Sequence, residues 1–149
     1  MRPCALILSL LMLTGCNGVK QPTNYAQLGL VQVSGQIMVD GEPLSGGSVI
    51  FEAEDKTFSA SETDSSGRYQ LRFNSEQMGI PPGTKTVRIS GRGLPSENDE
   101  GAEPDTKPKT KDSVPACYHK SSEIVVTVDD GHTSFDFDLL SDCSTRSAK

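Results

Sequence analysis

The sequence predicts an all-β fold: a single domain of seven short strands closed into a sandwich or a barrel. Three observations lead there. Apolar and polar residues alternate with a period of two over short runs, the mark of strands with one buried face. Between those runs fall 14 glycines and 9 prolines, grouped as turn signals. No stretch sustains the 3.6-residue apolar period of a helix; only Ser75 to Gly79 allows one short turn. At 149 residues the chain is one domain with tails. There is no tryptophan and aromatic residues make up 5%, so the core must come mainly from Val, Ile, Leu and five Phe. The net charge of −6 argues against nucleic acid as a partner, since that needs a concentrated basic face.

The N-terminal residues read as a targeting segment. Arg2 gives a positive start, and Ala5 to Leu13 is an almost unbroken apolar run. It is too short for a membrane-spanning helix, which needs ~20 residues, but has the length of a signal-peptide core. Leu13-Thr14-Gly15-Cys16 follows and resembles the lipobox of bacterial lipoproteins. That resemblance implies diacylglycerol on the Cys16 thiol, cleavage before it and acylation of the freed amine. Several acyl chains together give stable anchoring, where one is marginal. The alternative is an ordinary secretory signal that contains a cysteine. Asn17, rather than Asp, after the cysteine favours the outer membrane by the sorting habit of some Gram-negative bacteria. The polar stretch from Asn17 to about Gln27 then reads as a tether.

Seven strand signals follow in order. Val31 to Val39 puts Val31, Val33, Gly35, Ile37 and Val39 on one face, and Asp40-Gly41 behind it is a tight-turn signal that Pro43 to Gly47 continues. Ser48 to Ala53 alternates around Val49 and Phe51, and Thr57 to Thr63 is a weaker strand. The Asp64-Ser65-Ser66-Gly67 turn leads to Arg68–Phe73, with Tyr69, Leu71 and Phe73 on one face. Beyond Pro81-Pro82-Gly83, Lys85 to Ser90 supplies Val87 and Ile89. Glu123 to Val128 aligns Ile124, Val126 and Val128, and Thr133 to Leu139 aligns Phe135, Phe137 and Leu139.

The segment Ser90 to Asp112 breaks the pattern. Leu94 is its only large apolar residue, and acidic residues up to Asp105 give way to Lys107, Lys109 and Lys111. Such a composition cannot offset its ordering entropy by burial, and it predicts a mobile, solvated loop. The resulting division is a signal peptide at 1–15, a lipidated tether at 16–29, a sandwich at 30–141 carrying the loop at 90–113, and a tail at 142–149.

The strand motifs resemble a known family. Val33-Ser34-Gly35-Gln36-Ile37, Asp40-Gly41-Glu42-Pro43-Leu44 and Gly47-Ser48-Val49-Ile50-Phe51 look like the opening of a carboxypeptidase regulatory-like domain. Thr63-Asp64-Ser65-Ser66-Gly67-Arg68-Tyr69-Gln70-Leu71 is similar to its most recurrent motif, and Pro82 to Ile89 to its next strand. Val114-Pro115 with Tyr118, and Phe135-Asp136-Phe137-Asp138-Leu139, resemble its short lipoprotein branch. The likeness covers about Val31 to Leu140. It implies a transthyretin-like, or more broadly immunoglobulin-like, sandwich of seven strands and no activity. In the carboxypeptidases this domain is an accessory to a catalytic domain, and no catalytic domain is found here. The residues themselves fit structural roles. Gly35, Gly41 and Gly67 suit turns or close strand crossings, Asp64 can bond its own backbone ahead, and Tyr69 can bury its ring with the hydroxyl at an edge.

Little in the chain points to catalysis, and no catalytic or cofactor-binding residue and no cofactor is expected. The two histidines, His119 and His132, lack paired-His or Cys-x-x-Cys metal spacing. Asp64 with Ser66, or Asp129 with Asp130, lacks the oxygen-ligand loop of a calcium site and reads as turn capping. Hydroxyisourate hydrolases share the transthyretin-like fold but end Tyr-Arg-Gly-Ser, whereas this chain ends Thr145-Arg146-Ser147-Ala148-Lys149. The lysine–asparagine crosslink of some adhesin sandwiches lacks its residues, since Val31 to Val39 has no lysine and Thr133 to Leu139 no asparagine. Two function classes remain: a structural or binding module of the cell envelope, with a protein or glycan ligand, and an accessory to an envelope hydrolase in trans.

Cysteine use fits an oxidising compartment. With Cys4 removed and Cys16 acylated, Cys117 and Cys143 are left to pair. The Asp129-Asp130-Gly131-His132 turn predicts an antiparallel hairpin of 123–128 with 133–139, pairing Val126 with Phe135 and Ile124 with Phe137. Extending it sets Cys117 opposite Ser144 and Cys143 opposite Tyr118, one step out of register, which a bulge within Tyr118 to Ser122 would correct. The alternative is two free thiols.

Overall fold

The structure, a computed structural model, describes residues 24–94 and 113–144. The expected signal peptide, Cys16, residues 95–112 of the expected loop and residues 145–149 of the expected tail lie outside the described residues. The described chain is all-β, in two sheets. Its strands are β1 (Ser34–Val39), β2 (Glu42–Pro43), β3 (Ser48–Glu52), β4 (Phe58–Glu62), β5 (Arg68–Gln70), β6 (Gly83–Ser90), β7 (Val125–Val128) and β8 (Phe137–Leu139).

Six of these lie within the predicted runs, and β6 covers its run but begins two residues earlier, at Gly83, which was expected to belong to the break before it. The eighth, β2, arises because the turn before it is a true hairpin. Asp40 and Gly41 both have positive φ, 51° and 84°, as a two-residue turn of the hairpin-favouring hand requires. That turn folds Glu42 back on Val39 and Pro43 on Met38. Tyr25–Leu28, expected in the tether, instead forms a 3-10 turn capped by the Asn24 side chain, and the Tyr25 ring sits 6.2 Å from that of Phe73.

The first sheet is organised on β1. It runs antiparallel to β5 through Ser34–Gln36, antiparallel to β2 through Met38–Val39, and parallel to β8 through Ile37–Val39. The second sheet has the order β4-β3-β6-β7, antiparallel throughout. Reciprocal 3.0 Å backbone bonds between Ala60 and Arg72 join the sheets at one edge.

The core lies between the sheets. Phe51 on β3 faces Tyr69, Phe135 and Phe137, with ring centroids 6.2, 5.9 and 6.2 Å away. Val49, Val87 and Ile89 from its own sheet and Ile37, Leu71 and Leu139 from the other have no exposed surface. Burying one Phe or Leu side chain in this way contributes ~1.5–3 kcal/mol.

One contact spans three neighbouring segments of the first sheet. The Tyr69 hydroxyl donates to Phe135 O at 2.8 Å, crossing Gly35. A Cβ on Gly35 would lie 1.9 Å from that oxygen and 3.0 Å from the Tyr69 ring. With Phe135 O turned to the tyrosine, the Asp136 carboxylate takes the Gln36 N–H at 2.8 Å.

The expected hairpin of 123–128 with 133–139 does not form. β7 pairs with β6, while Thr133–Leu139 crosses to the other sheet, where Thr133 O accepts from Ser34 N at 3.1 Å and Phe135 N donates to Ser34 O at 3.0 Å. The Asp129–His132 turn is present, its N–H groups of Gly131 and His132 bonded to Asp129 Oδ1. That turn serves as well between sheets as within one. The crossing lets Val126 and Val128 enter the core from one side and Phe135, Phe137 and Leu139 from the other, which a hairpin in one sheet could not do.

Cys117 and Cys143 form a disulfide with Cα atoms 6.1 Å apart. Because the hairpin is absent, the bond does not staple its open end. It ties the 3-10 turn Ala116–Tyr118, packed against β6, to the chain leaving β8, and so links the two sheets. Beside it the Tyr118 hydroxyl donates to Leu140 O at 3.0 Å, and Arg88 donates to His119 O at 2.9 Å. Asp40 receives both the N–H and the hydroxyl of Ser141, which holds its carboxyl below the usual carboxylate range.

Two tests follow from these contacts. Tyr69→Phe leaves Phe135 O without its donor and is expected to cost ~1–3 kcal/mol in urea unfolding. Burial also pushes the Tyr69 hydroxyl well above its ordinary value of 10.0. Above that pH the unfolded chain loses a proton that the folded chain keeps, so stability falls as pH rises. Tyr69→Phe is expected to flatten this alkaline limb; an unchanged limb refutes the assignment. The second test is the bridge: replacing both Cys117 and Cys143 by Ala opens a loop spanning 26 positions, with an expected loss of ~3 kcal/mol read from the urea midpoint.

Candidate functional site

The same alternation that fills the core lays a polar surface on the outside of the first sheet. Ser34 and Gln36 on β1, and Arg68 and Gln70 on β5, occupy the positions between buried neighbours and point outward. Ser134 and Asp136 continue that surface on one side. On the other side, the backbone bridge from Ala60 to Arg72 brings in Arg72 together with Ser61 and Glu62 of β4. The result is an open groove of about 690 Å³ whose lining is mainly polar.

Several of its groups are fixed by hydrogen bonds. Gln36 Nε2 donates to Ser66 O at 2.8 Å. Asp64 Oδ1 accepts from Ser66 N at 2.8 Å and Arg68 N at 3.0 Å, closing the turn that starts β5. Gln70 Nε2 reaches Gln32 Oε1 at 3.2 Å, and Glu62 Oε1 accepts from Leu94 N at 2.8 Å. By contrast, among the described residues the guanidinium groups of Arg68 and Arg72 make no hydrogen bond or ion pair, so ten N–H donors of fixed geometry remain available to a ligand. These groups can hold carboxylates, phosphates or hydroxyls; none is arranged as a nucleophile beside a base.

The other residues singled out in the sequence fall elsewhere. Cys16 is outside the described residues. Cys117 and Cys143 are paired with each other and do not line this groove. His132 is exposed and its Nδ1 lies 2.9 Å from Asp129 Oδ1; His132, with the Gly131 N–H, holds the Asp129 carboxyl below its usual range. No group of three or more His, Cys, Asp or Glu able to hold a metal occurs among the described residues.

Of the residues that line the groove, Gly35, Asp64 and Tyr69 were singled out in the sequence, but for structural roles; none was singled out as a binding residue. Alternation marks Gln36, Arg68, Gln70 and Asp136 as outward, yet it cannot tell an outward residue on a flat face from one in a concavity. Lys85 was missed for the opposite reason. It shares the inward face with Val87 and Ile89 and is 5% exposed, its ammonium capped by Pro82 O at 3.2 Å. Burial pushes its pKa down, and the nearby Asp55 charge partly restores it.

No family model matches the chain, and no curated protein matches it.

Asp64 offers a local test. Asp64→Ala removes the acceptor of two backbone N–H groups and is expected to cost ~1 kcal/mol in urea unfolding. It should also weaken any groove ligand by freeing Arg68. Unchanged stability would show that the turn closes without the carboxylate.

Proposed function

We propose that this chain is a non-catalytic lipoprotein of the bacterial cell envelope. On this reading Cys16 carries the acyl anchor, and a transthyretin-like sandwich of the carboxypeptidase regulatory-like kind, its seven expected strands joined by the short β2, binds a protein or glycan. The observation that carries the binding role is the polar groove of about 690 Å³ with the unused guanidinium groups of Arg68 and Arg72. Side chains kept only for solubility are not pinned in place, whereas Gln36, Asp64 and Gln70 are held around this concavity. A ligand bearing carboxylate or phosphate groups beside hydroxyls suits that donor set. The anchor rests on Leu13-Thr14-Gly15-Cys16 behind the apolar run, and the Cys117–Cys143 bond supports an oxidising compartment.

The test is a photo-crosslinking residue placed in cells at Gln70, with the exposed Thr127 on β7 as control. A discrete adduct from Gln70 alone is expected, reduced ~10-fold by Arg68→Ala, equivalent to ~1.4 kcal/mol of binding. Cys16→Ser is expected to move the protein out of the membrane fraction or leave it unprocessed. Equal adducts at both positions, or none at Gln70, overturn the binding role; full membrane retention of a processed Cys16→Ser protein that lacks the apolar run overturns the anchor.

A further inference from the structure

A second groove, of about 510 Å³, adjoins the polar one and differs from it in chemistry. Its apolar walls are Phe58 and Ala60 on β4, Phe73 and Leu94, with Asn74 and Ser75 beside Phe73, while Arg72, Ser61 and Glu62 stand where the two grooves meet. Phe58 is 57% exposed, on an outward position of the strand at the edge of its sheet. An aromatic side chain so placed loses the benefit of burial unless something covers it.

The course of the chain indicates what covers it. The N-terminal residues join the domain at this groove: Asn24 caps the 3-10 turn, and the Tyr25 ring rests edge-on against Phe73, one of the groove's own walls. Cys16 precedes Asn24 by eight residues. Eight residues span at most ~28 Å even when fully extended. A chain anchored at Cys16 therefore holds this side of the domain within about one domain diameter of the bilayer.

We propose that the Phe58–Phe73–Leu94 groove seats on the bilayer surface, resting on the reading of Cys16 as the acyl anchor. Phe58 enters the boundary between headgroups and acyl chains, as aromatic side chains of interfacial segments do. The Arg72 guanidinium, on the rim, meets headgroup phosphates, and the cation offsets the repulsion that an acidic protein meets at an anionic membrane. Anchor and groove then act as two points of attachment on one surface. The second contact is made at the high effective concentration that the first creates.

Val125 provides an internal control. It is as exposed as Phe58, at 59%, but lies on β7 at the opposite edge of the same sheet. Three strand spacings, ~14 Å, separate the two edges. Since the chain has no tryptophan, Phe58→Trp and Val125→Trp each give a sole tryptophan, which can be excited selectively over the three tyrosines. Each variant would be purified from bacterial membranes, its intact mass measured, and the protein reconstituted into phosphatidylethanolamine–phosphatidylglycerol vesicles with or without shallow doxyl-labelled lipid. Emission of the Phe58→Trp reporter is expected to be quenched at least about threefold more than that of Val125→Trp, in keeping with burial ~5–10 Å into the interface. Equal or absent quenching on an acylated protein overturns the docking and leaves the anchor standing. A mass showing unmodified Cys16 overturns the anchor and the docking with it. Concentration-dependent shielding of the Phe58→Trp reporter in detergent without vesicles assigns the groove to a second copy of the chain and overturns the lipid surface as its occupant.

Discussion

The order of the first sheet depends on one crossing point, where the Tyr69 hydroxyl of β5 passes Gly35 of β1 to reach Phe135 O on the strand beyond. Three segments distant in sequence meet there, and each constrains the others. Gly35 must lack a side chain, because the carbonyl oxygen occupies the place of its Cβ. Phe135 must turn its carbonyl out of the ladder, which leaves the Gln36 N–H to the Asp136 carboxylate. Tyr69 must lie flat beneath β1, and that brings its ring beside Phe51 of the opposite sheet. A hydrogen bond contributes only ~1 kcal/mol net, but an unmet carbonyl in this core costs more, so the contact acts mainly by excluding other registers. The aromatic cluster around Phe51 supplies the larger apolar share, and the crossing sets where its rings sit.

Much of this was legible in the sequence, for a definite reason. Period-two alternation reports which face of a strand is buried, and Val33, Ile37, Val49, Phe51, Tyr69, Leu71, Val87 and Ile89 are all in the core. Turn chemistry is equally local, so Asp40-Gly41 and the Asp64 turn read directly. Alternation says nothing about which strand lies alongside. The hairpin expected of 123–128 and 133–139 rested on the turn between them, and that turn, capped by Asp129, fits a crossing between sheets just as well. Phe73 shows the same limit. It shares a period with Tyr69 and Leu71, but the chain leaves the first sheet at Arg72 to bond Ala60, and Phe73 ends half-buried against Tyr25.

That crossing also changes what the disulfide does. In a hairpin it would join neighbours that the ladder already holds. Here it joins a turn packed on β6 to the chain leaving the strand that lies beside β1, so it restrains the relative movement of two sheets that the Ala60–Arg72 bridge joins at another edge. Bridge and disulfide involve opposite ends of the second sheet's strand order, β4 at one edge and the β6–β7 side at the other. The sandwich is thereby closed on both flanks without a large core, which suits a chain with five Phe and no tryptophan. The same logic explains why an inward Lys85 is tolerated: its stem can fill space while the ammonium reaches Pro82 O.

Closure at the β4 flank has a consequence for recognition. Arg72 bonds Ala60 through its backbone, and its side chain stands where the polar and apolar grooves meet, with Ser61 and Glu62 beside it. One structural link therefore places a surface suited to hydroxyls and anions directly against the apolar Phe58–Phe73–Leu94 groove. If the apolar side faces the bilayer, the polar groove opens at the level of the headgroups rather than away from the membrane. Ligands approaching along the membrane plane would then reach Arg68 first, with Arg72 already occupied at the rim. Of the two guanidinium groups, Arg68 would then govern affinity for a soluble ligand, while Arg72 would govern how firmly the domain is held against the membrane.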